Sequence, residues 1–408
     1  FMIFYCGVLT FGNSYIDHER EIITFFLSVL CLLVFCRWYF TASSSAHSSL
    51  SSVGSSSTYL PLVVALCSRV NDLLVTGHGM DPSIRLHAAH LPILFLSSLV
   101  VLMILRIKWL GPSSSTLTTV GGVGSASIEI IAVVSLACSW WDKRALEHSR
   151  TGFLTARIAM MAVFFGIFQS TRSLYGQWKL SIQYGLKDVG GGRNIENVQV
   201  LLFRLMLFLV IVTGPSAASS AVLILIQCAT LRQLMDASGT RQLSAPTLAA
   251  IWRLAIRHAF FATNHHCSFN HLQFSAAFVA TNIFQFHIAG MSLFMNTFGW
   301  EILGSCLILV YSRARRSNNH WGESSSLNRS NNDVWDWFLF FQWTEILASC
   351  VSVRMMKRHL MVWAIFAPRF MFAAIFSVLA FGFGVVDVWT VERIASSDAS
   401  TIAQNVQI

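Results

Sequence analysis

Four ionisable side chains interrupt runs of the sequence that are otherwise apolar. Glu129 lies in Ser127-Ile128-Glu129-Ile130-Ile131, Glu301 in Phe298-Gly299-Trp300-Glu301-Ile302-Leu303, Glu345 just after Gln342-Trp343-Thr344, and Arg204 within Leu201–Val212. A charge at the middle of a bilayer costs roughly 2.5–3.5 kcal/mol on insertion scales, so such residues face a bundle interior or a wet cavity. Two readings stand for each glutamate: a polar contact that ties helices together, or a role in holding substrate or moving a proton. Arg369 follows Pro368. Proline frees backbone groups where it breaks a helix, and a guanidinium grips phosphate with two parallel donors. Arg369 is therefore a candidate for phosphate, the alternative being a helix-end arginine reaching for the headgroups, as Arg157 is expected to do.

The densest polar stretch runs from His258 to Gln273 and includes His258, His265, His266, His271 and Cys267. Such an inventory invites zinc, and His266 with Asn270, or His258 with His265, could share a helix face. The spacing matches no zinc signature, however, and no carboxylate is close by. Asn and Phe interleaved with His fit a partly wet segment at the membrane interface, with Asn264, His265, His266 and Asn270 as candidate lipid contacts. Gly77-His78-Gly79-Met80 is one residue away from a hard-metal motif, but Gly77 stands where the ligating aspartate belongs. A divalent site without its carboxylates is not a site. No dinucleotide or phosphate loop, serine-hydrolase elbow or His-Glu-x-x-His occurs. No metal ligands and no catalytic residues are assigned in this chain.

The elements that must position these groups are set by composition. Of 408 residues, 54% are hydrophobic and only 12% charged, about half the charge of an ordinary soluble domain. Mean hydropathy is +0.59. A soluble enzyme and a disordered chain are both excluded. The net charge of +9 comes from short clusters between apolar runs, as at the ends of membrane helices, and implies no nucleic-acid partner. Spans need roughly 20 apolar residues. Clear candidates are Ile22–Phe40, Leu91–Leu110, Thr116–Trp141, Phe153–Ser170, Val200–Val212 with Ala217–Leu231, Ile288–Tyr311, Asp336–Val353 and Leu360–Trp389; Phe1–Phe11, Tyr59–Val75, Ala245–Thr263 and Leu272–Phe286 are weaker. The expectation is an all-α polytopic bundle of about 10–12 spans with no sizeable soluble domain, and with flexible connectors over 41–58, 174–197 and 312–334. The nine cysteines contain no Cys-x-x-Cys pair and read as packing residues.

Three blocks carry a family resemblance. Arg358-His359-Leu360-Met361-Val362-Trp363-Ala364-Ile365-Phe366-Ala367-Pro368-Arg369-Phe370-Met371-Phe372 resembles a block in the last membrane segments of the GPI ethanolamine phosphate transferases of types 2 and 3. Phe260-Phe261-Ala262-Thr263-Asn264-His265, followed by Phe274-Ser275-Ala276-Ala277-Phe278-Val279, looks like the loop and helix just upstream. Asn13-Ser14-Tyr15-Ile16-Asp17-His18-Glu19-Arg20-Glu21 is similar to the acidic stretch that opens the membrane region in type 2. The order agrees and spans nearly the whole chain. The acidic block and Asn296-Thr297-Phe298-Gly299-Trp300-Glu301 incline slightly to type 2; the Ala262–His265 and Ala276–Val279 strings look as much like type 3.

The resemblance implies an endoplasmic reticulum membrane protein that acts late in GPI-anchor assembly. The family moves ethanolamine phosphate from phosphatidylethanolamine to a mannose of the GPI precursor lipid, the second in type 2 and the third in type 3. A small multi-span stabilising subunit is the implied partner. Chemistry in the family belongs to a lumenal domain with two zinc ions and a threonine nucleophile. No stretch here matches that domain, and the chain opens directly on apolar Phe1-Met2-Ile3-Phe4. Residues 1–408 thus read as the C-terminal membrane domain alone, inactive by itself and without cofactor. Arg369, Glu301, Glu345 and the Asn264–Asn270 stretch are the candidate contacts to substrate lipids. Two other classes stay open: a polytopic transporter, in which the buried acids would couple ions, and a non-catalytic scaffold of a lipid-modifying complex.

Overall fold

A computed structural model describes residues 19–45, 56–76, 157–172, 174, 191–213, 218–240, 243–267, 272–278, 284–319, 334–355 and 367–385. Among these residues all regular structure is helical. The α-helices are α1 (Glu19–Ser45), α2 (Leu60–Thr76), α3 (157–172), α4 (Gly191–Thr213), α5 (Ala218–Thr240), α6 (Ala245–Ala262), α7 (Phe286–Asn319), α8 (Val334–Met355) and α9 (Ala367–Val385). Short 3-10 turns cover Ser56–Tyr59 and Phe274–Phe278. Glu19–Thr41, Phe286–Ser312 and Ala367–Val385 are long and apolar enough to cross a membrane, and Val200–Thr213 and Ser220–Met235 are shorter apolar stretches. The chain is an all-helical membrane bundle.

Packing divides the chain into two units. The first comprises Phe1–Leu102, Pro215–Phe274 and Leu293–Val378; the second comprises Met103–Gly214, Ser275–Ser292 and Leu379–Ile408. Within the first unit, α6 lies at the centre and packs on α1, α2, α5 and α8, while α2 also packs on α1 and α5. Sixteen of its residues are buried, so α6 is enclosed nearly all round, as a central helix is. Its start is marked by Ser244 with a proline in the first turn, where a missing N–H costs nothing. Gly304 lets α7 come close to α6, because a Cβ there would lie 2.4 Å from Ile256 Cγ1. Within the second unit, Phe164 of α3 packs on Phe208 of α4 with centroids 5.1 Å apart and the rings tilted by 54°.

Several threonine hydroxyls in these apolar helices are satisfied locally. Thr24 donates to Arg20 O at 2.9 Å, Thr213 to Leu209 O at 2.6 Å, and Thr230 to Ile226 O at 2.8 Å. Bonding back by one turn lets a hydroxyl sit in a dry helix without a partner elsewhere.

Several expected boundaries move. α1 continues through 41–45 and α7 through 312–319, into stretches expected to be connectors, and α4 begins at Gly191 within another. Near the end of α1, Thr41 folds its hydroxyl back on Arg37 O at 2.9 Å and Trp38 O at 3.0 Å, so it stays within the helix instead of competing with it. The weak span over Leu272–Phe286 is corrected: among its described residues Phe274–Phe278 is a 3-10 turn, 284 and 285 are irregular, and Phe286 already opens α7. Leu91–Leu110, Thr116–Trp141 and Phe1–Phe11 lie outside the described residues.

Candidate functional site: a buried chain of alternating charges

Helix α6 carries Arg253 and Arg257 one turn apart on one face, both buried. Each faces a carboxylate of another helix. Arg253 meets Glu345 of α8 fork to fork, Nε to Oε1 at 2.9 Å and Nη2 to Oε2 at 2.6 Å, and its Nη1 donates to Glu301 Oε1 of α7. Arg257 Nη2 donates to Glu19 Oε1 of α1 at 3.1 Å, and its Nε lies 3.8 Å from Glu345 Oε2. Arg369 of α9 donates to the same Glu19 oxygen at 2.9 Å. The six groups therefore alternate in sign along one line: Glu301, Arg253, Glu345, Arg257, Glu19, Arg369. They join α7, α6, α8, α1 and α9 within the first unit.

All six are buried, none more than 6% exposed. Isolated charges there would be untenable, but three negative and three positive charges cancel, and each finds an opposite neighbour. Paired and bidentate geometry is what makes burial of charge bearable. Aromatic rings close the flanks: Phe338 lies 5.9 Å from the Arg253 Cζ, and Phe261 and Phe376 lie 5.3 and 5.5 Å from the Arg257 Cζ. Ring faces favour a guanidinium where water is excluded.

The line has an inner and an outer end. Arg253, Glu301 and Glu345 sit in mid-helix. Glu19 is the first residue of α1, Arg369 is in the first turn of α9, and Arg257 is in the last turns of α6. The acid at a helix N-terminus and the arginine near a C-terminus both suit the helix dipoles. Cys267, in the turn after α6, lies 3.8 Å from Arg257 Nη2. Burial pushes its thiol up to about 11, and Glu19 adds to that while Arg257 and Arg369 oppose it.

The turn itself is built by hydrogen bonds. Asn264 has φ 62°, a left-handed conformation that Asn tolerates better than most residues. Gln273 Nε2 holds it by donating to Thr263 O at 2.8 Å and Asn264 O at 3.0 Å, and Asn296 Nδ2 of α7 donates to Gln273 Oε1 at 3.2 Å. His265 is buried, stacks on Phe260 at 5.3 Å, and shares a 2.9 Å hydrogen bond between Nδ1 and Thr263 Oγ1. Burial lowers its imidazole pKa to about 4.

Of the residues expected from sequence, Glu301, Glu345 and Arg369 come together in this one line. Asn264 shapes the turn, His265 packs beneath it, and His266 is exposed. Asn270 and Glu129 lie outside the described residues. Arg204 belongs to the second unit, where it is buried and donates to Gly166 O and, at 2.8 Å, to Ser170 Oγ. Sequence reading missed Glu19, Arg253 and Arg257. The signal was there: two arginines at i and i+4 in an apolar helix imply buried carboxylates elsewhere.

Comparison with known proteins points to one class of membrane enzyme. Over 116 residues the chain is 30% identical to the GPI ethanolamine phosphate transferase 3 of Eremothecium gossypii, covering 28% of this chain and 11% of that protein. Over 178 residues it is 26% identical to the Saccharomyces cerevisiae protein of the same name, covering 43% of this chain and 17% of that one. The matched part of the chain thus spans less than a fifth of either relative. No family model matches, and no solved structure does. Both likenesses support the GPI ethanolamine phosphate transferase family.

Proposed function

We propose that this chain is the membrane part of a GPI ethanolamine phosphate transferase of the endoplasmic reticulum, and that the outer end of the charge line receives the phosphatidylethanolamine headgroup. The observation that carries the reading is the shared carboxylate oxygen of Glu19, bonded by both Arg257 and Arg369. A zwitterionic headgroup can enter such a contact without changing its charge: the phosphate replaces Glu19 beside Arg369, and the ammonium takes the released carboxylate. An anionic or cationic headgroup would leave one buried charge uncompensated, which is costly.

The transfer breaks the P–O bond to diacylglycerol and forms one to a mannose hydroxyl, whose proton passes to the diacylglycerol oxygen. In this reading the chain binds and orients the donor lipid, and bond exchange belongs to a lumenal catalytic domain with two zinc ions, as the family resemblance implies. The described residues bring together no three potential zinc ligands. The names of the two relatives favour type 3, and so the third mannose, over the slight type 2 inclination of the acidic block. A small multi-span stabilising subunit is the proposed partner.

The test is a transfer assay. Membranes from cells with and without the gene receive phosphatidylethanolamine labelled in its headgroup, together with the GPI precursor. Loss of label from the precursor on gene disruption, with unmodified precursor accumulating, is the expected result. Unchanged transfer would overturn the reading in favour of a transporter or scaffold.

A further inference from the structure

One arginine on the outer side of α1 and α2 stands without a counter-charge. The two helices run antiparallel within the first unit. Arg20 Nε donates to Asp72 Oδ1 at 2.9 Å at one end, and the rings of Phe35 and Tyr59 lie 6.0 Å apart toward the other. Between these points Arg69 of α2 donates through Nε to Ser28 Oγ of α1 at 3.1 Å. Ser28 donates its own hydrogen to Thr24 O at 2.7 Å, so a hydroxyl fixed to the backbone of α1 holds the guanidinium by its Nε. Among the described residues no carboxylate pairs with Arg69, and its Nη1 and Nη2 make no hydrogen bond.

The surroundings of this guanidinium are apolar. Phe25 and Leu32 flank Ser28 on one face of α1, Leu66 and Val70 flank Arg69 on one face of α2, and all four are exposed, as is Arg69 itself. Ser28 lies about 13 Å along α1 from Glu19, at 1.5 Å per residue, inside the stretch Glu19–Thr41 that is long and apolar enough to cross a membrane. A helical side chain leans toward the N-terminus of its own helix. For Arg69 that direction is toward Tyr59, away from the end where Arg20 and Asp72 sit, and the hydrogen bond to Ser28, two turns past Arg20, agrees. Reaching for headgroups at the Arg20 end would need the opposite lean. A cation facing hydrocarbon instead draws the headgroup layer and water in toward itself.

The neighbouring acids decide which headgroup fits. Asp72 is already bonded to Arg20, and Glu21 stands two turns from Ser28, about 10 Å along α1. An ammonium therefore has no carboxylate to meet beside Arg69, whereas a phosphodiester meets two parallel charged donors.

We propose that this side of α1 and α2 binds an anionic phospholipid, its phosphodiester gripped by Arg69 Nη1 and Nη2 and its acyl chains lying along Leu32 and Leu66. The site is separate from the contact between Glu19 and Arg369 and does not rest on the transferase reading. The test uses the full chain in nanodiscs of phosphatidylcholine doped with phosphatidylglycerol of the same acyl chains, and native mass spectrometry reads the lipid retained after detergent extraction. Phosphatidylglycerol should be retained in preference to phosphatidylcholine. Arg69→Gln should cut that preference by about tenfold, and Arg69→Lys, which keeps the charge but not the fork, should recover only part of it. Arg354→Gln removes an exposed arginine from the last turn of α8. It lowers the net charge by the same amount and should leave the preference unchanged. Equal retention of the two lipids by the unmodified chain, or equal loss in Arg69→Gln and Arg354→Gln, would mean that Arg69 is solvated by water and adds only to the general basic charge, and would overturn the proposal. Phosphatidylethanolamine is absent from these bilayers, so neither outcome bears on its recognition at Glu19 and Arg369.

Discussion

Arg253 and Glu345 are joined by two parallel hydrogen bonds of 2.9 and 2.6 Å across α6 and α8, with both side chains out of water. This pair fixes the inner end of the charge line and leaves the third arm of the guanidinium for Glu301. It separates two questions about the cluster: whether it holds the bundle together, and whether it binds anything.

Removing one partner of that pair strands the other. Arg253→Ala or Glu345→Ala should destabilise the protein by roughly 3–5 kcal/mol, read as a drop in thermal midpoint in detergent. The double change Arg253→Met, Glu301→Gln removes one charge of each sign from the end of the line, leaves Glu345 beside Arg257, and should fall closer to the unmodified midpoint than Arg253→Ala does. A double variant less stable than Arg253→Ala would contradict the pairing.

A lysine cannot reproduce the fork. Arg253→Lys keeps the charge but gives up the planar donor pair, so it should recover only part of the loss, leaving roughly 1–3 kcal/mol. Full recovery would show that charge, and not geometry, is what Glu345 requires.

The turn after α6 tests a different assignment. If Asn264 is chosen for its backbone, Asn264→Gly should be neutral or slightly stabilising, and Asn264→Ala should cost roughly 1–2 kcal/mol. Equal loss in both variants would point instead to a role for the amide side chain, which is exposed.

His265 should make stability depend on pH. Its folded pKa is about 4 and the ordinary value is 6.5, so between those values the unfolded chain binds a proton that the folded chain refuses. The contribution is fully present above about pH 6.5 and is lost as pH falls toward about 4, reaching about 2 kcal/mol at pH 5. His265→Gln should be less sensitive than the unmodified chain between pH 7 and pH 5. Identical slopes in thermal melts across that range would contradict a buried neutral imidazole.

Much of this was legible in the sequence because hydrocarbon makes ionisable residues conspicuous. Glu301, Glu345 and Arg369 stood out singly, and the structure gathers them. Arg253 and Arg257 do not stand out, because Ala245–Thr263 is only a weak span candidate, and its arginines are not set against a clear apolar run. Glu19 was read only as part of an acidic string, since nothing local says that its partners are 238 and 350 residues away. The failed span after Leu272 shows the opposite error. Phe274, Phe278 and Phe284 are exposed there, while Gln273 is committed to holding the Asn264 turn and Phe274–Phe278 forms a 3-10 turn. Periodicity finds helices; it does not find the long-range hydrogen bonds that replace them.

The most direct test of the central claim is lipid retention by Arg369 variants. The purified chain, extracted from bilayers of equal phosphatidylethanolamine and phosphatidylcholine, would be examined by native mass spectrometry beside Arg369→Ala and Glu19→Gln at matched protein level and thermal midpoint. The account predicts selective retention of phosphatidylethanolamine by the unmodified chain and loss of that selectivity, by about tenfold or more, in both variants. Selectivity unchanged in folded Arg369→Ala would contradict it and leave the charge line as a device that only ties five helices together.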